Sequence, residues 1–306
     1  MNPANTYSLL LTRAAKQYVN IGYDGNGGSQ NIDSLTNAVT LETWVKLTTG
    51  GNPQTLISKD GNGDGGAGNR SFFLWIDVRN TVRSTWFSSS SAVDLSVGGP
   101  ALNPGYWYHV AATISNNGST TTITHYVNGQ YIGADVLGYV LQPRQVNVGV
   151  KIGARGYSTI VETLDGKVCY TRLWSVARTA AQISASYMAT LTDSESGLVA
   201  DVQLNNAYVD TGPNAYIVSP SGTSSFDLDV PFVGTTTSTS SSTSTTTTST
   251  SSSTSTTTTI TSTSTSMTTT STSTTSSSTS TTTTTSTTTT LDVTPGNYRF
   301  SVERIR

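Results

Sequence analysis

Apolar and polar residues alternate along most of the first three quarters of the chain, a pattern typical of strands buried on one face. Residues Ile123, His125 and Val127 fall on the same face of one such run. Similar runs, rich in β-branched and aromatic residues, are separated by Gly, Asn and Asp. Strands are predicted at Leu41–Leu47, Phe72–Val78, Trp107–Ser115, Thr121–Val127 and Gly166–Trp174.

Two local signals refine this pattern. The pair Asn128-Gly129 lies between two strand-forming runs, and it favours a hairpin turn in which both residues have positive φ. A helix is predicted at Thr179–Ala189, where Ala180, Ile183 and Tyr187 have helical spacing. Residues 1–234 are therefore predicted to form an all-β domain of two packed sheets or a jelly roll, with one short helix.

A different composition begins at residue 235. Of the 56 residues in 235–290, all but Ile260 and Met267 are Ser or Thr. Such a segment has almost no apolar surface to bury, so it is not expected to fold by itself. Residues 291–306 return to a strand pattern, in which Pro295-Gly296 favours a turn and Tyr298, Phe300 and Val302 alternate with polar residues.

Charge and cysteine content exclude several classes of protein. The net charge is −2 and only 11% of residues are charged, so the positive field needed to bind nucleic acid is absent. No apolar run approaches the roughly 20 residues that span a bilayer. Cys169 is the only cysteine, which excludes an internal disulfide framework. The first 19 residues have no basic region and do not resemble a signal peptide, so we expect a separate leader or another export route.

Four groups of segments resemble the laminin-G-like, concanavalin A-like lectin/glucanase family, in its pentraxin-like branch. They comprise Thr40–Lys46, Leu56–Asp60, Trp107–Thr113 with Tyr126–Gly129, and Ile152-Gly153 with Leu164–Val168 and Leu173-Trp174. The resemblance covers about residues 6–220 and implies a two-sheet jelly-roll sandwich. It does not imply one function, because this fold carries lectins, adhesion modules, enzymes and spacers.

Catalysis is not indicated by the carboxylates. A retaining glycosidase needs two carboxyl groups about 5–5.5 Å apart, which residues i and i+2 or i+4 of a strand can provide. Glu42, Glu162 and Glu303 each lack an acidic residue at these spacings, and Glu195, which has Asp193 two positions before it, lies outside the predicted strands. Nucleophile-elbow, zinc-protease and P-loop motifs are also absent. The sequence therefore predicts a protein that is not an enzyme.

A calcium site is the one cofactor site that the sequence allows. Asp60, Asn62 and Asp64 occupy positions 1, 3 and 5 of a loop with Gly at position 6, as at the start of a calcium-binding loop. Position 12 is Ser71, so the bidentate Glu of that loop is missing. The alternative is a Gly-rich loop selected for positive φ.

Several aromatic and imidazole side chains could serve either packing or recognition. Trp44, Trp107 and Trp174 are expected to fill the core between the sheets. His109 and His125 are expected to be structural. Glycan binding would need an exposed aromatic platform with polar neighbours. The candidates are Trp75, Trp86 and Tyr157, for each of which core packing is the favoured alternative.

The Ser/Thr tract has three interpretations: a flexible spacer, a densely O-glycosylated stalk, and an ordered fibre core. Representative acceptors for O-glycosylation are Thr235, Ser240, Thr245, Thr250, Thr270 and Thr290. Two N-glycosylation triplets begin at Asn69 and Asn117, about as many as chance gives.

The C-terminal strand would need a partner for its backbone groups. Pairing with a neighbouring copy would build a head-to-tail homopolymer, while return to the same domain or an unpaired anchor are alternatives. The first hypothesis is therefore an extracellular or virion-surface structural glycoprotein, a filament subunit linked through this strand. The second is a lectin-like adhesin that binds glycans, with or without calcium.

Overall fold

The computed structural model describes residues 5–22, 32, 34–60, 70–88, 92–95, 99–156, 159–231, 287–294 and 297–304. Within these residues the domain is a sandwich of two antiparallel sheets with one short helix, as predicted. No helix in the described part of the chain is long and apolar enough to cross a bilayer.

The first sheet has eight strands in the described residues. The spatial order is β10-β9-β8-β3-β12-β1-β15, and β13 pairs with β12 beside this path. The strands are β1 (Ser8–Leu11), β3 (Ala38–Leu47), β8 (Trp107–Asn116), β9 (Thr121–Val127), β10 (Gln130–Leu137), β12 (Gly166–Trp174), β13 (Leu198–Val202) and β15 (Ser225–Asp227).

The second sheet has seven strands in the same described ranges, in the order β14-β2-β11-β4-β5-β6-β7. They are β2 (Tyr18–Ile21), β4 (Gln54–Asp60), β5 (Arg70–Ile76), β6 (Val82–Phe87), β7 (Ala92–Leu95), β11 (Val150–Ile152) and β14 (Val218–Ser221). The predicted strands at Thr121–Val127 and Gly166–Trp174 have the same bounds in the structure, and the other three predicted strands differ at one or both ends.

The main core lies between the two sheets. It combines aliphatic residues of the first sheet, such as Leu41 and Val110, with residues of the second sheet, such as Ile57 and Leu74. All four are fully buried. His125 belongs to this interior, where its Nε2 lies 2.7 Å from Ser84 Oγ. Its predicted structural role and its alternation with Ile123 and Val127 are confirmed.

Trp44, Trp107 and Trp174 are buried, but their predicted position between the sheets is wrong. All three lie on the opposite, outer face of the first sheet, in two clusters separate from the main core. The reason is strand alternation, since their neighbours Val45 and Leu173 are the residues that face inward. The C-terminal part of the domain covers this face, and there Trp107 Nε1 donates to Asp229 Oδ1 over 2.8 Å.

The helix α1 (Ala180–Ser186) is shorter at both ends than predicted. Thr179 is its N-cap, and with Gln182 it forms a reciprocal capping box that defines the first turn. Ile183 is its buried residue, and Ala180 is exposed. Tyr187 follows the helix and stacks on Trp44 with 5.9 Å between ring centroids.

The hairpin predicted at Asn128-Gly129 is confirmed. Both residues have positive φ, 51° and 72°, and they join β9 to β10. The Asn128 side chain also accepts a hydrogen bond from the backbone amide of His109 over 3.0 Å. The turn is therefore tied to strand β8 as well as to the strands that it connects.

The C-terminal strand pairs differently from each alternative that the sequence suggested. Strand β17 (Asn297–Arg304) forms a two-stranded sheet with β16 (Thr287–Thr294), which includes the last four residues of the Ser/Thr tract. The premise that this strand has no partner within its own segment is therefore wrong. The cause is the high β-propensity of Thr, which lets the end of the tract form a strand. The predicted Pro295-Gly296 turn lies outside the described residues.

Candidate functional site

Strand alternation places three aromatic rings and Arg83 on the outer face of the second sheet, where Arg70 and Arg155 pack against the rings. On β5, Phe72 and Leu74 face the core, and their neighbours therefore face outward. The same alternation on β6 turns Trp86 inward and Arg83 outward. We call this surface the arginine–aromatic face; it consists of Phe73, Trp75, Phe87, Arg70, Arg83 and Arg155.

Each arginine of this face lies over one aromatic ring. The guanidinium carbon is 5.3 Å from the ring centroid for Arg83 on Trp75, 5.2 Å for Arg155 on Phe73 and 5.7 Å for Arg70 on Phe87. The ring quadrupole attracts a cation at these distances. The three arginine side chains remain 24%, 20% and 19% exposed, in the order Arg83, Arg155, Arg70, so part of each reaches solvent.

The rings also contact one another. Phe73 lies 5.5 Å from Phe87 and 6.5 Å from Trp75, measured between centroids, and both phenylalanines are more than nine-tenths buried. Trp75 is partly exposed, and its indole Nε1 donates to Thr85 Oγ1 over 3.1 Å. Trp75 is therefore the ring of this face that a ligand can reach.

Arg155 and Arg83 each lie close to a carboxylate as well as to an aromatic ring. Glu162 accepts two hydrogen bonds from Arg155, over 2.7 Å from Nε and 2.5 Å from Nη2. These bonds raise the pKa of Arg155, although burial acts in the opposite direction. Asp77 Oδ2 lies 3.8 Å from Arg83 Nη1. Burial acts to raise the pKa of Asp77, but the hydrogen bonds from the backbone amides of Thr81 and Arg79 lower it overall.

Asp60, the first predicted calcium ligand, is buried at the end of β4 beside the same face. One of its carboxylate oxygens lies 3.4 Å from Arg70 Nε and the other 3.7 Å from Arg155 Nη1. Asn62 and Asp64 lie outside the described residues. Among the side chains that are described, no group of three His, Cys, Asp or Glu is arranged to hold a metal ion.

The remaining candidate residues, for glycosylation, assembly or glycan binding, lie partly within and partly outside the described ranges. Asn117 is exposed in the β8–β9 turn, where its Oδ1 accepts from the backbone amides of Ser119 and Thr120 over 3.0 and 2.8 Å. Thr290 lies on β16, and Tyr298, Phe300 and Val302 lie on β17. Outside the described residues are Asn69, Tyr157, Thr235, Ser240, Thr245, Thr250 and Thr270.

A buried ionic cluster on the outer face of the first sheet was not anticipated from the sequence. Glu42 is fully buried and accepts hydrogen bonds from Trp174 Nε1 over 3.0 Å and from Arg178 Nη1 over 3.3 Å. Its Oε2 lies 3.4 Å from His109 Nε2, and Arg172 Nη1 lies 3.8 Å from Oε1. Burial raises the pKa of Glu42, but His109 and the two arginines lower it overall to about 2.

Burial dominates the titration of His109 in this cluster and lowers its pKa, although the nearby Glu42 carboxylate acts to raise it. Because Glu42 and His109 are at most 1% exposed, a dissolved ligand cannot reach them. The structural role predicted for His109 is confirmed. The cluster holds the segment around α1 against the sheet.

A second set of carboxyl groups lies near this cluster. Asp201 on β13 is fully buried, and burial raises its pKa to about 6, although Arg172 opposes the shift. Asp210 accepts hydrogen bonds from the backbone amides of Asp201, Gly212 and Tyr216 over 2.8 to 2.9 Å. These carboxyl groups stabilise the chain after β13.

Comparisons with known proteins agree with this architecture. A family profile described as the concanavalin A-like lectin/glucanases superfamily, Laminin_G_3, matches residues 14–184. No curated protein sequence matches the chain.

The chain is also similar to several solved structures. A candidate carbohydrate-binding protein from Bacteroides ovatus is 17% identical, with a TM-score of 0.53, and the match covers 73% of this chain and 60% of that one. The IT-sialidase CBM40 of Ruminococcus gnavus, bound to α2,3-sialyllactose, is 15% identical with a TM-score of 0.45, over 58% of this chain and 95% of that one. A SAP-like pentraxin from Limulus polyphemus is 18% identical with a TM-score of 0.38, over 58% and 86%.

The profile match covers more than half of the chain and includes all of the segments given above for the resemblance. The chain belongs to the concanavalin A-like lectin/glucanase superfamily, in its Laminin_G_3 family.

Proposed function

We propose that this domain is a glycan-binding module and that its ligand lies on the arginine–aromatic face. The observation that carries the proposal is the arrangement of Trp75, Arg83 and Thr85, in which a partly exposed indole is flanked by a guanidinium and a hydroxyl. Binding sites of this kind combine apolar contact area with a few fixed polar groups. The structural likeness to a candidate carbohydrate-binding protein supports the proposal at the level of the fold.

The contacts define how such a ligand would be held. The apolar C–H face of a sugar ring would lie against Trp75, and its hydroxyl groups would meet the donors of Arg83 and the carboxylate of Asp77. The aromatic ring and the Asp77 carboxylate already restrain the guanidinium of Arg83, so little side-chain freedom is lost on binding.

We propose binding without catalysis. Of the carboxylates on or beside the arginine–aromatic face, Asp60 and Glu162 lie against arginines and Asp77 accepts backbone amides. Asp201, whose pKa of about 6 would suit an acid, is fully buried. A hydrolase would need an acid and a base that both reach the sugar.

The remaining parts of the proposal concern residues beyond the sandwich. We propose an extracellular or cell- or virion-surface location, with the Ser/Thr tract 235–290 as an O-glycosylated spacer and residues 291–306 as a separate terminal segment. Calcium remains a proposal for Asp60, Asn62 and Asp64, and N-glycosylation for Asn69 and Asn117. An intact mass at 32.1 kDa, the mass of the bare chain, would refute glycosylation of the tract.

A second candidate function is that of a filament subunit, favoured by the strand β17 that follows the long tract. In this proposal Tyr298, Phe300 and Val302 link one copy to the next. Deletion of 292–306 should leave a folded monomer and abolish assembly, and filaments formed by the shortened chain would refute the link. The comparisons favour glycan binding over this alternative.

The test of the main proposal is a glycan array with the full chain, followed by calorimetry on the glycans that bind. Trp75→Ala should weaken binding at least tenfold. Tyr131→Ala is the matched control, because Tyr131 is 59% exposed on β10 of the other sheet. Equal affinities for the two variants would place the ligand elsewhere. Repeating the titration with a chelator tests calcium, since binding that needs the ion would be lost.

A further inference from the structure

A cavity of about 340 Å³ opens at one margin of the sandwich. It lies between the turn after β1, the residues that precede β4 and the segment before β12. The lining residues are Arg13, Lys16, Asn52, Pro53, Ile160, Val161, Glu162 and Thr163. Its volume is within the range of about 300–1,000 Å³ found for small-molecule sites.

The lining has two basic side chains, Arg13 and Lys16, that are only partly paired with other described residues. Arg13 Nε donates to the Thr163 carbonyl over 3.2 Å, but its Nη2 is buried and has no hydrogen-bond partner among the described residues. Lys16 is exposed and forms no ion pair within the described part of the chain. Glu162 is the one carboxylate of the lining, and Arg155 already neutralises it through two hydrogen bonds.

The turn that presents Lys16 is held in place by its own hydrogen bonds. Lys16 has φ of 50°, a left-handed conformation that residues other than Gly, Asn and Asp seldom adopt. The Lys16 amide donates to Arg13 O over 3.0 Å, and Gln17 Oε1 accepts from the amide and hydroxyl of Thr12 over 2.8 and 2.9 Å. Strain of this kind is often found at functional sites.

The rest of the lining differs from that of a simple anion site. Pro53, Ile160 and Val161 provide an apolar wall, and Asn52 provides an exposed amide. The apolar wall would not contribute to the affinity for an inorganic anion. A ligand that suits both parts has an acidic group on a compact body with an apolar face.

We propose that this cavity binds a monosaccharide-sized acidic sugar, with its anionic group between Arg13 and Lys16 and its ring against Pro53 and Val161. The site does not include Trp75, so it is independent of the glycan site proposed above. The acidic group is a carboxylate or a sulfate ester, and the choice is made by the test.

The test is a nuclear magnetic resonance titration of the full chain with glucuronate, glucose 6-sulfate, glucose, inorganic sulfate and inorganic phosphate. At least one acidic sugar should shift the amide signals of Lys16 and Thr163 and bind at least tenfold more tightly than glucose. Whichever acidic sugar binds more tightly identifies the anionic group. Inorganic anions that bind as tightly as both acidic sugars would overturn the proposal, because the apolar wall would then contribute nothing.

Variants locate the site. Lys16→Gln should weaken binding at least threefold, and since Lys16 is exposed this change should not disturb folding. Arg79→Gln is the control, because it removes one charge from an exposed turn and does not line the cavity. Equal losses in the two variants would indicate nonspecific charge attraction and refute the site. Trp75→Ala should leave this binding unchanged, so the two proposals can fail separately.

Discussion

Arg83 lies directly opposite Trp75 in the antiparallel pair β5–β6, and its guanidinium carbon is 5.3 Å from the centre of the indole. Opposite residues of neighbouring strands are the pairs whose side chains interact most strongly in a sheet. Here the pair joins a cation to a partly exposed ring on an otherwise well-covered face. It is the centre of the proposed glycan site.

Removing this cation should have a small effect on stability and a larger one on binding. A cation–π contact at a partly exposed site contributes about 0.5–1 kcal/mol. Arg83→Gln should therefore lower the free energy of unfolding by about that amount, measured by chemical denaturation. The control Arg79→Gln should change it by less than about 0.5 kcal/mol, as is usual for surface positions. A wild-type stability for Arg83→Gln would show that the contact does not contribute.

Substitution of Glu42 in the buried ionic cluster should lower the free energy of unfolding much more than substitution of Arg83. Glu42→Gln keeps the shape of the side chain but leaves Arg172 and Arg178 beside a neutral group. Breaking a buried ion pair from one side typically costs about 3–5 kcal/mol. Glu162→Gln is the comparison, because its partner Arg155 is partly exposed and the loss should be about 1 kcal/mol or less. Equal losses in denaturant titrations would contradict the structural role of the cluster.

Asp201 should give stability an unusual dependence on pH. Burial raises its pKa from 3.8 to about 6, so the folded state holds a proton that the unfolded state has lost between these values. Protonated Asp201 therefore contributes at most about 3 kcal/mol to the free energy of unfolding. This contribution is fully present below pH 3.8 and is lost as the pH rises through 6.

Asp201→Asn removes this titration. The stability of the variant relative to the wild type should increase between pH 4 and pH 7, measured by denaturation at each pH. A constant difference would mean that Asp201 titrates normally. Glu42 acts in the opposite direction and at lower pH, since its pKa is lowered to about 2 and its contribution is lost as the pH falls below 4.5.

Gly129 should tolerate a methyl group less well than Gly118. Both have positive φ, 72° and 90°, so alanine strains the backbone at each by roughly 1–2 kcal/mol. A Cβ at Gly129 would also lie 2.6 Å from the ring of Tyr187, whereas nothing lies within 4 Å of a Cβ at Gly118. Gly129→Ala should therefore be the more destabilising change by about 1 kcal/mol or more. Equal melting temperatures for the two variants would contradict the packing of Tyr187.

The sequence predicted the strands more reliably than the site. Strand β9 was predicted to the residue because alternation and the Asn128-Gly129 turn are local signals. Trp75 and Trp86 have equally strand-like surroundings, yet one faces outward and the other belongs to the core. Deciding between them requires knowing which face of β5 and β6 the first sheet covers, and that depends on residues distant in sequence.

The polar contacts between distant parts of the chain could not be predicted for a similar reason. Glu42 meets Arg178 across 136 positions of sequence, and Arg13 meets Thr163 across 150. No spacing rule within a strand or helix connects such residues. The Ser/Thr tract, by contrast, was evident from composition alone, because it depends on no tertiary contact.

The most direct test of the glycan site follows the five tryptophan indole N–H signals of the full chain during titration with a glycan that binds. The other four tryptophans, Trp44, Trp86, Trp107 and Trp174, are at most 3% exposed, whereas Trp75 is partly exposed at the proposed site. Trp75→Phe assigns its signal. We predict that the Trp75 signal shifts on binding and that the other four signals shift less. Binding that leaves the Trp75 signal in place would contradict the account.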